Sequence, residues 1–499
     1  MVVVALALRL IVMGLLFRLQ LDPARDHFAF GFETGRIARS LASGQGFSSP
    51  FPEPTGPTAI LAPVYPGLLA GVFRLFGIYS TASALAILSL NDLFSALTCL
   101  PVFFIADKTF GRREATWAGW AWAFFPYAVG IPNLWVWETS LTALLLSLLL
   151  LATLHLERSA QLTAWLGYGL LWGFVVLTNL AVLSGLPFLW AWIWCQQQRR
   201  GLKCGRLVGV AAVAFLCSVT PWLVRNAHTF GHFVFFRNNF GLQFCMGNND
   251  DTSKPGSDNL FPSDNPVEME KVRRMGESAY MAEKGHQALA FLAGQPGRFA
   301  WLTFRRILCV WTALWGLHPS WRFGDEFGVP NILSYTTITL LALLGLRRAI
   351  RDRSRYAVPL GLLLAFFPIV YYVTYPDVRY RHPIDPEIVI LAVYGVSGYF
   401  STSSRESLAR PKRAGHSGPP VGLTSLAWLE QDSPASPQPS KGSTDGMRTF
   451  ARGEIPWHRL PSRRCHENED RSGLPDGAGA GRNGGGADEN LRHRTVRQA

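Results

Sequence analysis

The sequence predicts an all-α, polytopic membrane protein, and three observations carry that reading. Charged residues make up only 16% of the 499 positions, against roughly 25% in a soluble domain. Hydrophobic residues reach 49%, with 17 Trp and 33 Phe among them. The apolar residues also cluster into runs near the length of about 20 residues that crosses ~30 Å of hydrocarbon.

Those runs fall at about 2–17, 60–77, 82–105, 115–131, 138–155, 162–178, 180–195, 206–224, 301–317, 330–346, 356–374 and 384–400. They predict a bundle of about 10–12 transmembrane helices. The first run reads as a membrane helix rather than a cleavable signal: no basic region precedes it, Arg9 interrupts it, and no A-x-A site follows. Loops 108–113, 199–206 and 347–355 are rich in Lys and Arg, which places all three on the cytoplasmic side. If both 60–77 and 301–317 span, the middle of the chain inverts and this agreement fails. Ten spans, with 60–77 and 301–317 as interfacial or re-entrant helices, keep the three loops together.

The outside stretches are then 18–81, 132–137, 225–300 and 375–383. Within 225–300, Asn238-Asn239-Phe240-Gly241 and Gly247-Asn248-Asn249-Asp250-Asp251 read as turns, and 266–292 reads as one helix. The domain organisation expected is a membrane-embedded domain over 1–400 and a tail over 401–499. The tail is rich in Gly, Ser, Pro and Arg and lacks apolar periodicity, a disordered composition.

The formal net charge of +13 lies mostly in short loops and the tail. It reads as membrane topology rather than as a nucleic-acid footprint. Of the seven Cys, no two form a C-x-x-C pair, and most lie in or beside apolar runs. Neither a disulfide framework nor a zinc site is expected. The phosphate loop, the H-E-x-x-H helix and the G-x-S-x-G elbow are all missing from the sequence.

The first outside loop carries the candidate chemistry. Asp26 and Glu33 are seven apart, which on a helix puts them on one face, and Arg36 follows Glu33 by three. One reading is a general base at the membrane surface with a cation beside it; the other is a solvated helix with ordinary charge pairs. Glu138 opens a span in Trp135-Val136-Trp137-Glu138-Thr139. An acid there is costly and is either functional or an interfacial residue in an aromatic belt. Arg379, Tyr380, Arg381 and His382 lie on an outside loop, against the positive-inside trend. They either take an anion such as a lipid phosphate or pair with Asp377, Asp385 or Glu387. Arg9, inside the first span, reads as an intramembrane hydrogen-bond donor.

The run from Glu33 to Phe47, then Pro63-Val64-Tyr65-Pro66, Phe76-Gly77 and Gly111-Arg112-Arg113 before a span, resembles the type C (GT-C) glycosyltransferases. More narrowly it is similar to the protein O-mannosyltransferase and lipid A aminoarabinose transferase group. The resemblance covers roughly 1–400 and is strongest over 25–145. It implies a polyprenyl-phosphate sugar donor, a lipid, glycan or protein acceptor, and work on the cell envelope or in protein glycosylation.

It also implies an acidic catalytic residue in the first outside loop. The usual contiguous Asp-Glu pair is missing, so Asp26 and Glu33 share that role, and Glu138 stands at the second acidic position. Arg379, Tyr380 and Arg381, with Arg36, are the implied lipid-phosphate ligands. A leaving phosphate needs arginine or a divalent metal to stabilise it; the acceptor hydroxyl needs a carboxylate to take its proton. Inversion at the anomeric carbon follows from direct displacement.

A bacterial inner-membrane protein with its site facing the periplasm is expected. The alternatives are a polytopic lipid or glycan flippase and an inactive relative. No internal repeat is evident, and the acids sit on outside loops rather than at the bilayer midplane, where transport sites lie.

Overall fold

The computed structural model describes residues 1–20, 30–134, 136–202, 204–252, 260–313 and 328–409. Asp26, Trp135 and the tail beyond 409 lie outside the described residues. Contacts divide the chain into Met1–Pro411 and Lys412–Ala499, and the first unit holds the described residues.

Its N-terminal part comprises α1 (Val2–Gln20), α2 (Glu33–Ala42), α3 (Val64–Phe76), α4 (Thr81–Leu97), α5 (Cys99–Thr109), α6 (Arg112–Phe124) and α7 (Pro126–Leu134). The middle holds α8 (Thr139–Leu156), α9 (Leu162–Val176), a 3-10 turn Leu180–Gly185, α10 (Leu186–Gln198) and α11 (Gly205–Phe230). The outer segment adds α12 (Phe240–Gly247), α13 (Pro266–Met275) and α14 (Glu277–Gly294). The chain then forms α15 (Pro296–Thr312), α16 (Gly328–Arg351), α17 (Ala357–Phe366), α18 (Ile369–Val373), a 3-10 turn Val378–Ile384 and α19 (Asp385–Ala409). Among the described residues the one β-feature is an isolated bridge between Ser48 and Pro57. The class is all-α, as the apolar periodicity predicts.

Among the described residues, four helical stretches are long and apolar enough to cross a membrane: Thr81–Thr109, Thr139–Leu156, Gly205–Phe230 and Ile332–Arg351. Val2–Leu16, Leu162–Val176 and Ala357–Val373 are shorter apolar helices. Helix α3 has 13 residues, a rise of about 20 Å, well short of the hydrocarbon thickness. It packs beside α2 and α4 with Tyr65, Leu69 and Phe73 buried. Helix α19 continues past residue 401, to Ala409.

The three basic loops gather at one end. Phe110 stacks on Tyr394 of α19 with ring centroids 3.8 Å apart, and Arg348 of α16 lies over the same Tyr394 ring. Arg200 and Arg355 both reach Glu157 at the end of α8. Common placement of 108–113, 199–206 and 347–355 is what the positive-inside argument requires.

The bundle core is aromatic and close-packed. Trp122, Trp165 and Trp172 are fully buried. Helix α9 meets α11 through Gly169 and Gly173, where a Cβ would collide with the Ala211 carbonyl and the Ser218 side chain. Small residues spaced by four let membrane helices approach closely. Arg9 is buried and donates to Ser95 Oγ (3.0 Å) and to the carbonyls of Ala128 (3.1 Å) and Ala123 (3.1 Å). It joins α1 to α4, α6 and α7 inside the apolar region.

In the outer segment two expectations change. The single helix over 266–292 is two helices, broken at Gly276, whose φ of +77° favours glycine. Residues Asn238–Asn239 leave the turn and enter α12 at Phe240, so Phe240-Gly241 are helical. Helix α13 starts on Asn265, whose Oδ1 accepts from Val267 and Glu268 N–H groups, with Pro266 in the first turn. Glu268 is buried between Lys271 (2.8 Å), Lys284 (2.7 Å) and Tyr280 (2.7 Å), which ties α13 to α14.

Candidate active site

A cavity of about 660 Å³ opens at the end of the bundle away from the basic loops. Its walls include Glu33 at the start of α2, Glu138 before α8, Asn179 after α9, Arg237 before α12, and Asp377, Arg379 and Tyr380 at the start of the Val378–Ile384 turn. A wing of Leu180, Leu183 and Val370 is apolar. Asn239, Gln243 and Asp264 line the side formed by the outer segment, where Asp264 is exposed.

Glu33 is the first residue of α2, with Phe32 at φ +49° and Gly31 at φ +81° ahead of it. A Cβ on Gly31 would collide with the Val136 carbonyl oxygen. Glycine at 31 therefore lets the chain before Glu33 press against the chain just before Glu138. Phe30 is buried and packs on Phe73 and Tyr79, centroids 5.8 and 4.8 Å away, which holds this corner on α3. Seven of the ten α2 residues are buried, including Glu33, Arg36 and Ile37. It is an internal helix, not a solvated one.

Glu33 is buried and Glu138 half-buried. Burial pushes the Glu33 carboxyl above the ordinary carboxylate range; Arg36 and Arg379 oppose this, and Asp264 adds to it. Burial likewise raises Glu138, opposed by Arg237 and Arg379. Arg379 thus lies in the field of both acids. Burial works against its charge, but Asp377 and Tyr380 outweigh that and hold its proton firmly.

Arg379 is well ordered by its neighbours. Its Nη2 is 3.2 Å from Asp377, and its guanidinium lies 4.3 Å from the Trp137 ring centroid. Asp377 also accepts from the Arg379 backbone N–H at 3.0 Å, which starts the turn. Tyr380 stacks on Tyr371 at 4.6 Å. Arg237 donates from Nε to the Ile60 carbonyl at 2.9 Å, while the Asn238 N–H donates to the Ala59 carbonyl at 2.8 Å. These bonds fasten residues 59–60 of the first outer loop to the segment that carries Arg237.

Glu277 secures the same joint. It accepts from Thr58 Oγ1, from the Ala59 N–H at 2.9 Å and from Asn238 Nδ2 at 3.4 Å. Glu277→Ala strands two buried donors, the Thr58 hydroxyl and the Ala59 N–H, each costing about 1–3 kcal/mol, while Asn238 keeps Ser278 Oγ at 3.0 Å. The expected result is a thermal unfolding midpoint clearly below that of the parent, with Glu277→Gln intermediate.

The candidate residues divide. Glu33, Glu138, Arg379 and Tyr380 line the cavity together. Arg381 does not line it: it is buried, its Nε is 2.8 Å from Asp385, its Nη1 donates to Thr339 Oγ1 at 3.1 Å, and it covers the Tyr335 ring at 3.5 Å. The alternative of pairing with Asp385 describes it. Arg36 also points elsewhere, donating to the Pro50 carbonyl (3.2 Å) and Ser263 Oγ (3.3 Å). Asp26 lies outside the described residues.

Arg237, Asn179, Tyr371 and Asp264 line the cavity and were not singled out by the sequence. For Arg237 a signal exists: it is a single cation among Phe233, Phe235, Phe236 and Phe240 on an outside segment. Among the described residues no three His, Cys, Asp or Glu stand together as metal ligands. The groups present fit guanidinium stabilisation of an anion.

No protein-family model and no curated protein matches the sequence. Similar solved structures include the oligosaccharyltransferase of Archaeoglobus fulgidus in complex with zinc and sulfate, at 13% identity and a TM-score of 0.45, covering 81% of this chain and 49% of that one. The archaeal oligosaccharyltransferase AglB from the same organism, in complex with an inhibitory peptide and a dolichol-phosphate, matches at 12% identity and 0.37, covering 83% and 52%. ArnT from Cupriavidus metallidurans bound to undecaprenyl phosphate matches at 15% and 0.34, covering 81% and 79%. The chain spans about half the length of the two archaeal structures.

Proposed function

We propose that the protein is a GT-C-type glycosyltransferase that moves a sugar from a polyprenyl phosphate to a hydroxyl acceptor at the membrane surface. The observation that carries this reading is the meeting of Glu33, Glu138, Arg237 and Arg379 in one cavity beside an apolar wing. A lipid-linked sugar presents that combination: an apolar tail, a phosphate anion and a polar ring.

Each group has a role. Arg237 and Arg379 face the lipid phosphate. Glu33, on the side shared with Asp264, takes the proton of the acceptor hydroxyl. The acceptor oxygen attacks the anomeric carbon, the bond from that carbon to the phosphate oxygen breaks, and its electron pair leaves on the phosphate. The two guanidiniums stabilise that growing charge, and the configuration inverts. Glu138 lies in the field of both arginines and balances their charge. With the basic loops in the cytoplasm, the cavity opens on the outer face, the periplasmic side of a bacterial inner membrane.

The base must be ionised to act, and burial raises its pKa. The kcat/KM for transfer is therefore expected to rise with pH through a midpoint above the ordinary value of about 4.3, then level off. A flat profile from pH 5 upward would count against a buried carboxylate base.

The test is transfer in proteoliposomes from a panel of radiolabelled polyprenyl-phosphate sugars to membrane extract, with Glu33→Gln and Arg379→Gln as controls. Label entering an acceptor with wild type, and not with the variants, supports the reading. Lipid-linked sugar that crosses between leaflets without transfer would replace it with a flippase.

A further inference from the structure

We propose that the end of the bundle opposite the cavity carries a binding site for a phosphate anion, built by Lys108, Arg158, Arg200 and Arg355 around Glu157. The site is independent of the reaction at the cavity. Glu157 closes α8 and its side chain is fully buried. One carboxylate oxygen, Oε1, faces three guanidiniums: Arg158 Nε at 3.3 Å, Arg355 Nη2 at 3.3 Å and Arg200 Nη2 at 3.8 Å. Tyr356 also donates to it at 3.0 Å. Lys108, at the end of α5, lies within electrostatic range of the same groups.

One carboxylate therefore sits among four cations, and they come from four separate stretches of chain. The positive-inside rule explains why basic residues are on this side, but not why four of them converge. Like charges brought together this closely repel, and flexible side chains would spread apart in solution. Glu157 draws three of them in, and the Gln197 side chain donates to the carbonyls of Leu156 (2.6 Å) and Ser159 (3.2 Å), which fixes the end of α10 against the end of α8.

The outward sides of the cations remain open. The Arg158, Arg355 and Arg200 side chains are 60%, 38% and 30% exposed. Their convergence is on Glu157 Oε1, and the N–H groups on the exposed sides, turned away from it, suit a tetrahedral oxyanion, since a guanidinium offers paired donors. The position at the ends of spanning helices puts them at headgroup depth. The phosphate of an anionic phospholipid and dissolved inorganic phosphate share the required chemistry. Either would offset the positive charge that the single Glu157 carboxylate leaves uncompensated.

The experiment is thermal unfolding of the full chain at low ionic strength. It is run in nanodiscs of phosphatidylcholine, in nanodiscs with added phosphatidylglycerol, and in neutral detergent with and without inorganic phosphate. Wild type, Arg200→Gln/Arg355→Gln and Glu157→Gln are compared. The expected result is a midpoint raised by roughly 2 °C or more by the anion in wild type and not in the double arginine variant. In Glu157→Gln the rise should be larger, because the competing carboxylate is gone. A rise in phosphatidylglycerol alone assigns the site to a lipid headgroup, and an equal rise with inorganic phosphate assigns it to the free ion. The same midpoint under all conditions, or a rise that the double arginine variant keeps, overturns the proposal. If Glu157→Gln does not fold, the arginine variant alone decides.

Discussion

Glu33→Gln is expected to lower kcat for sugar transfer by about 10²–10⁴-fold, the usual contribution of a general base, with donor KM nearly unchanged. The amide keeps the shape of the side chain and loses only the ability to take a proton. Stability should move the other way. A carboxyl whose pKa is raised on folding stabilises the fold fully at pH below its unfolded value, and that contribution is lost as pH rises through the folded value. Burial raises Glu33 in this sense. Above that pH the wild type carries a buried charge that Glu33→Gln lacks, so the variant should unfold at the same or a higher temperature at alkaline pH. Loss of transfer with stability retained separates catalysis from folding. Glu138→Gln should differ: its carboxylate lies in the fields of Arg237 and Arg379, so its loss should raise donor KM as well. If Glu33→Gln transfers normally and Glu138→Gln does not, the base assignment passes to Glu138.

The helical class was readable because a membrane imposes it. Apolar runs of span length and low charge leave helices as the only economical way to satisfy a backbone built from this sequence. The common end of the basic loops was readable for the same reason. Glu138 was visible as an acid on the edge of an apolar run, and Arg379 as a cation against the charge trend. What the sequence could not convey was direction. Spacing by three makes Arg36 a neighbour of Glu33 on a helix surface, yet α2 is buried, and Arg36 is drawn to Pro50 and Ser263. Arg379 and Arg381 are two apart on one short turn, but Asp377 holds the first at the cavity while Asp385 and Thr339 hold the second in the core. Arg237 stood out locally only as a lone cation among phenylalanines; what fastens its segment at the cavity is its bond to residue Ile60, about 180 positions earlier, which no local pattern reveals.

Arg379→Gln carries the other large expectation. The residue reaches the cavity with its charge secured by Asp377 and its plane laid on Trp137, so it need not reorganise as the phosphate departs. Removing one such preorganised donor costs about 10²–10³ in kcat. Arg379→Lys should recover only part of this, because an ammonium keeps the charge and loses the planar fork and the stacking. Asp377→Asn is the sharper control. It leaves the guanidinium in place but unclamped, so it should impair transfer less than Arg379→Gln and make the rate more sensitive to salt. Arg237→Gln completes a double-mutant cycle. If both arginines stabilise one leaving phosphate, the double variant should lose less than the product of the single losses, since the second removal acts on a transition state already poorly held. Strictly multiplicative losses would mean that the two guanidiniums serve different groups, and Arg237 would then be reassigned to the sugar or the acceptor.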